Sequence, residues 1–273
     1  MPDDRICGLN AVSALFAQRP DAVVRLFYDD EHKTAAGPLC AEMARMRRPY
    51  RLLPDDEMQR AAGTPHHGGL CAVATARPIG MMDFVRPPRF PLLLILDGVG
   101  NPHNLGAIAR SAAFFGVRAL VLHETPLQAM PSDAAYRTAE GGLEHLEVSK
   151  TRNLRKALLA LDPYYRTVAA TLTPDAVPLS SLPRDRPVAL VLGNEERGVG
   201  YEAMETCRRR IRIAGSGTVQ SLNVAQSAAV LLHALTSVTG AKPRAKTNRI
   251  PIYITKRTKK AAYIQGGRVT DPL

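Results

Sequence analysis

The chain has no apolar run near the roughly 18 to 20 residues that cross a bilayer, so no helical membrane span is expected. Its first residues, Met1-Pro2-Asp3-Asp4-Arg5, lack the basic start and apolar stretch of a secretory leader, and a cytoplasmic protein is expected. Cysteine is scarce. Cys7, Cys40, Cys71 and Cys207 stand apart, with no Cys-x-x-Cys pair and no histidine at ligand spacing. That pattern reads as reduced thiols, against a disulfide framework or a metal site.

What is present is ordinary in amount and uneven in place. A length of 273 residues, 45% hydrophobic and 22% charged, suits one large or two modest globular domains. The net charge is +11, and residues 241–273 carry nine cations against one acid, which leaves +3 for the rest. Basicity gathered in a terminal segment points to a polyanionic partner, most often nucleic acid, or else to a solvated tail. Tyr253 and Tyr263 interleave those cations, which suits base stacking or docking of the tail onto its own domain. Ile250–Ile254 reads as a short strand that Pro251 confines to an edge.

Residues 5–76 read as a small α/β unit within a first domain of 1–76. Helical spacing at Leu9, Val12, Leu15 and Phe16 precedes a strand at Val23–Phe27, and further helices are expected at 39–47 and 57–62. A glycine turn after His66-His67 feeds an alternating strand to Ala74. The histidine pair reads as part of that turn rather than as metal ligands. The cations Arg45, Arg47, Arg48 and Arg51 suit either phosphate contact or a solvated helix end. Pro78, Pro87, Pro88 and Pro91 mark a linker over 77–91.

From Leu92 onwards strand and helix alternate, which predicts a parallel sheet. Strands are expected at 92–96, 119–122, 146–148, 167–171, 188–192 and 211–213, with helices at 105–115, 152–161 and 222–235. Leu92–Leu96 is apolar throughout, as a strand buried on both faces must be. Asp97-Gly98-Val99-Gly100 invites a dinucleotide-binding reading, but His103 stands where the third glycine belongs. Glu124, placed like a ribose-binding acid, is weak support alone.

Three segments lie where apolar strands give way to loops, at the edge where open α/β sheets bind ligands. They are Asn104-Leu105-Gly106-Ala107-Ile108-Ala109-Arg110-Ser111-Ala112, then Leu192-Gly193-Asn194-Glu195-Glu196-Arg197-Gly198, then Ile213 to Val224 with Gln220-Ser221-Leu222-Asn223. In this order they resemble the SpoU (TrmH-like) branch of the SPOUT RNA methyltransferases. Residues 5–76, with His67-Gly68-Gly69, resemble the substrate-binding domain that often precedes it. The chain departs from the family pattern at Ser111, at Ala214-Gly215 and at Ala139-Glu140-Gly141-Gly142.

The resemblance implies an α/β fold whose parallel sheet carries a deep C-terminal trefoil knot, in a domain of 92–240 before a basic extension of 241–273. It implies S-adenosylmethionine as cofactor, RNA as partner, ribosomal more than transfer RNA, and a homodimer. The reaction it implies is methylation of a ribose 2′-hydroxyl; a catalytically silent RNA-binding protein on the same scaffold is the alternative. By the same resemblance Arg110 is the central catalytic residue, with Asn104, Glu195, Ser221 and Asn223 around it. Leu192, Gly193, Gly198, Ile213 and Leu222 would line the cofactor site. Arginine's very high pKa fits holding a phosphate better than general-base work, and Glu195 is expected to orient its guanidinium. Asn104, Ser221 and Asn223 can also be read as helix-cap or turn residues, Arg110 as one half of a surface ion pair, and Gly193, Ile213 and Leu222 as plain strand-end packing.

Overall fold

The computed structural model describes residues 3–237 and, by their backbone, two short strands at 263–265 and 268–270. The expected strand at 250–254 and the rest of the basic segment lie outside the described residues.

Residues 4–74 build a four-stranded sheet from β1 (Asp4–Cys7), β2 (Val23–Tyr28), β3 (Tyr50–Leu52) and β4 (Leu70–Ala74), in the order β1-β4-β2-β3. Strand β4 runs antiparallel to β1 and β2, and β3 is parallel to β2. Helices α1 (Leu9–Gln18), α2 (Lys33–Arg45) and α3 (Asp55–Ala62) connect them. The alternation expected of β4 fails because both of its faces are covered. Leu70, Ala72 and Ala74 pack with Val12, Leu15 and Met43, while Cys71 packs with Met58 and Ala62 of α3. His66 and His67 lie in the turn before β4, where Gly68 and Gly69 take positive φ. No group of three or more metal-ligating side chains occurs among the described residues.

The larger sheet is parallel throughout. Its members are β5 (Gly80–Met81), β6 (Leu92–Asp97), β7 (Ala119–His123), β8 (Glu147–Thr151), β9 (Arg166–Ala170), β10 (Val177–Pro178), β11 (Val188–Gly193) and β12 (Arg209–Arg212). They stand in the order β10-β12-β9-β11-β6-β7-β8-β5. All six residues of β6 are buried, and alternate ones feed two cores. Leu92, Leu94 and Leu96 pack with α4 (Pro102–Phe114) and α8 (Val224–Thr236), and Leu93 and Ile95 pack with α6 (Leu154–Leu161) and α7 (Tyr201–Thr206). Burying each leucine fully is worth about 1.5–3 kcal/mol, so this strand anchors both layers. From β6 the chain runs outward through β7 to β8, then crosses over and later places β11 on the other side of β6. The carboxyl ends of β6 and β11 therefore flank the switch point, where α/β sheets open a ligand crevice.

Elements with too few residues to show a period were not legible: β1, β3, β5, β10, α7 and α5 (Asp133–Ala139). The proline-rich stretch 77–91 does more than link, since β5 pairs with β8 at the sheet's edge. The described part of residues 240–273 is an antiparallel pair, β13 (Tyr263–Gln265) with β14 (Arg268–Thr270).

Candidate active site

Four loops rise from the carboxyl ends of the large sheet: 98–101 after β6, 124–132 after β7, 194–200 after β11 and 213–223 after β12. The first opens α4. Asn101 caps that helix, its Oδ1 accepting from the His103 N–H at 2.8 Å, and Pro102 takes the first helical position. Capping thus falls to Asn101 and leaves the Asn104 side chain available. Asn104 Nδ2 donates to Glu195 Oε1 at 2.6 Å, and its Oδ1 accepts from Asn223 Nδ2 at 3.2 Å. One carboxamide therefore joins all three segments across separations of 91 and 119 residues. Asn223 does double duty: its Oδ1 also caps α8 by accepting from the Ala225 N–H at 2.8 Å.

The 194–200 loop is closed by the protein alone. Asn194 and Gly198 exchange both backbone hydrogen bonds at 2.9 Å, and Asn194 Oδ1 accepts from the N–H groups of Glu196 and Arg197, each at 3.0 Å. Gly198 turns the chain at φ 71°. A Cβ on Gly193 would lie 2.1 Å from the Gly198 carbonyl carbon, so glycine is required there by the loop folding back over it. Leu192 is buried in the sheet beneath.

Two buried polar residues that sequence reasoning missed brace this edge. Asp97 Oδ2 accepts from the Gly200 N–H at 2.8 Å, and its Oδ1 meets His123 Nδ1 at 2.7 Å, tying β6, β7 and the 194–200 loop together. Gln128 Oε1 accepts from the N–H groups of Gly98 and Val99 at 3.0 and 3.1 Å, and its Nε2 donates to the carbonyls of Val99 and Ala129. A carboxylate closing an apolar strand was the one signal available in the sequence. Glu124 is occupied by Lys150 (2.5 Å) and Arg152 (2.7 Å), which hold its carboxyl below the usual range and leave no support for a ribose-binding role.

Arg110 has a different partner from the one expected. Its partner is Glu140, whose Oε1 accepts from Nη1 at 2.8 Å; Glu195 instead accepts from Asn104. The expectation that Glu195 orients the guanidinium is therefore corrected. Asn104 sits in the first turn of α4 and Arg110 six residues on, and the 139–142 turn is pressed against α4 beside the arginine, which brings Glu140 within reach. Among the described residues no hydrogen bond joins Arg110 to the 193–198 or 213–223 segments. Ser221 is exposed and without a side-chain hydrogen bond among the described residues, Leu222 is 45% exposed, and Ile213 is half-buried against the α4–α8 core.

The arrangement is an α/β sheet with amide and carboxylate groups gathered over its switch point, the makeup of an enzyme that binds a ligand across its carboxyl edge. Residues 91–233 match the SpoU rRNA Methylase family, and residues 5–79 match the module described as RNA 2′-O ribose methyltransferase substrate binding. The chain belongs to the SpoU rRNA methylase family. It is 33% identical over 240 residues to the uncharacterized tRNA/rRNA methyltransferase YfiF of Escherichia coli O157:H7, covering 84% of this chain and 67% of that one. An uncharacterized tRNA/rRNA methyltransferase of Haemophilus influenzae is 31% identical over 231 residues, covering 84% of this chain, and the chain spans 65% of its length. The 23S rRNA (guanosine-2′-O-)-methyltransferase RlmB of Nitrosomonas europaea is 31% identical, covering 83% of this chain and 88% of that one. In fold the chain is similar to an AdoMet-bound rRNA methyltransferase from Sinorhizobium meliloti, with a TM-score of 0.71 at 19% identity over 85% of this chain and 86% of that one.

Proposed function

We propose that the protein transfers a methyl group from S-adenosylmethionine to a ribose 2′-hydroxyl of RNA, ribosomal RNA before transfer RNA. The observation that carries this reading is the Asn104 carboxamide joining the 194–200 and 213–223 loops over the sheet's switch point. The residues present fit the cofactor. Leu192, Gly193 and Gly198 form a closed loop on one side, while the exposed backbone of 214–222, between Ile213 and Leu222, offers amide groups and apolar side chains to an adenine. Family membership and the matched substrate module support RNA as the acceptor.

When bound, the cofactor supplies an electrophilic sulfonium methyl. The chain's own task is to align a sugar hydroxyl with that methyl and manage one proton. Positioning of this kind is worth up to about 7–11 kcal/mol. Arg110 holds the phosphate beside the target ribose and stabilises negative charge on the 2′-oxygen, the work a guanidinium's forked donors suit. Asn104 and Asn223 set the distance between loops, and Ser221 faces solvent as a hydroxyl available to the substrate. The 2′-proton leaves to water or to a neighbouring polar group.

The finer architecture belongs to the same reading. The return of the chain from β12 at one side of the sheet, through 213–223, to α8 against α4 is the crossing we assign to a trefoil knot. The chain divides into a substrate module (1–76), a linker (77–91), a methyltransferase domain (92–240) and a basic extension (241–273), and it works in the cytoplasm. Phe114 is 82% exposed at the end of α4 and Val230 40% exposed on α8, a pair of apolar side chains that supports a homodimer through these helices.

The test is calorimetric titration with S-adenosylmethionine followed by labelled-methyl transfer to RNA. Transfer that Arg110→Ala abolishes is the expected result. Binding of cofactor and RNA with no transfer sinks the enzymatic reading and leaves an RNA-binding scaffold.

A further inference from the structure

The turn Ala139-Glu140-Gly141-Gly142 is built in a way its length does not require. Glu140 takes φ 43°, a left-handed conformation that residues with a Cβ rarely adopt. Its two glycine neighbours are pressed against different helices. A Cβ on Gly141 would lie 2.7 Å from Ala14 Cβ and 3.1 Å from the Asn10 carbonyl oxygen, both on α1 of the small sheet. A Cβ on Gly142 would lie 2.7 Å from the Arg110 Cα and 2.8 Å from the Ala109 oxygen, both on α4. The turn is thus a wedge between the two parts of the molecule, and Glu140 stands at its tip. Its Oε1 accepts from Arg110 Nη1 at 2.8 Å and its Oε2 from Asn10 Nδ2 at 3.2 Å. The seam around it is firmly bonded: Arg19 lays a two-pronged pair on the buried Glu144, at 2.8 and 3.0 Å, and Asp133 Oδ1 accepts from the Arg5 N–H at 3.0 Å.

We propose that Glu140 is a positioning residue for Arg110, an inference that rests on the catalytic reading of that arginine. The carboxylate engages Nη1 alone. The Nε and Nη2 donors, without a hydrogen bond among the described residues, form the side-on edge that matches two oxygens of a phosphate. Holding one donor fixes the plane in which the other two face the RNA backbone. Through Asn10, that plane follows the seating of the small sheet, so the module that meets the RNA also sets the direction of the arginine. A glutamate in a left-handed turn carries backbone strain that a glycine would avoid, and what it adds there is its carboxylate.

That strain supplies the experiment. Single-turnover methylation by the full chain, with thermal melting alongside, is measured for Glu140→Gly, Glu140→Gln, Asn10→Ala and Arg110→Ala. Glu140→Gly relieves the backbone, so the melting temperature rises, while the rate at saturating RNA falls by about tenfold through loss of alignment. Glu140→Gln keeps the Arg110 contact through its one oxygen, with its amide nitrogen donating to a flipped Asn10 Oδ1, and restores the rate to within about threefold. Asn10→Ala slows the reaction less, and adding it to Glu140→Gly slows it no further, as expected of one shared network. A Glu140→Gly enzyme as fast as the parent overturns the proposal, as does a Gln variant no faster than Gly. If Arg110→Ala is inactive while Glu140→Gly is not impaired, the positioning role alone falls; if Arg110→Ala transfers methyl normally, the catalytic reading falls with it.

Discussion

The loops at 194–200 and 213–222 leave neighbouring parts of one sheet and are held in opposite ways. The first is locked by paired backbone hydrogen bonds, by the Asn194 side chain, by Asp97 on Gly200 and by a glycine with no room for a methyl group. The second lies exposed from Ala214 to Asn223, tied within itself mainly by the Ser216 and Thr218 hydroxyls and to α4 by Asn223. One loop is a fixed wall whose sequence is dictated by its own folding. The other leaves most of its side chains and amides without a hydrogen bond among the described residues, and so open to ligands. Substitutions in the first should therefore act through structure, and those in the second through activity at unchanged stability.

Gly193→Ala should be the most severe. A methyl group 2.1 Å from the Gly198 backbone forces the loop open, so cofactor binding should vanish and stability fall by about 3 kcal/mol in denaturant titration. Asn104→Asp comes next. It sets a carboxylate against Glu195 where an amide now donates at 2.6 Å, and single-turnover transfer should drop by about 10²-fold. Gln128→Ala leaves the buried N–H groups of Gly98 and Val99 without an acceptor, and should cost about 2 kcal/mol of stability. Ser221→Ala sharpens the contrast: transfer should fall by about tenfold while the melting temperature stays where it was. A melting temperature lowered as far as in Gln128→Ala would show that the second loop is structural after all.

The smallest effect concerns the other side of the sheet. Burial pushes the Cys207 thiol from 9.0 up to about 12. As pH rises past 9 the unfolded chain releases this proton first, so the group's contribution to stability declines between there and about 12. Denaturation midpoints of the parent should therefore fall more between pH 8.5 and 10.5 than those of Cys207→Ala.

Much of the fold was legible because the strands of the large sheet are short apolar runs separated by helices of full length, as with Leu92–Leu96 and α4. The polar residues of the three segments were legible because each stands in a compact window at a strand's end. Their partners were not. Arg110 and Glu195 share a site in sequence, yet each bonds a different residue, because Glu140 arrives from a turn 30 positions away and α1 from 100. Asp97 reaches Gly200 across 103 positions, and Gln128 lies in a loop with no period. A side chain's type is written locally, whereas its partner is set by how the sheet is ordered. The alternation expected of β4 failed for the same reason, since α3 covers the face that an isolated hairpin would leave wet.

A methyl placed on a ribose oxygen of RNA is read directly by alkaline hydrolysis. A 2′-O-methyl group removes the nucleophile that cleaves the neighbouring phosphodiester, so label from the methyl donor should emerge in alkali-resistant dinucleotides. Label in single nucleotides, on their bases, or no label despite bound cofactor and RNA, would contradict it.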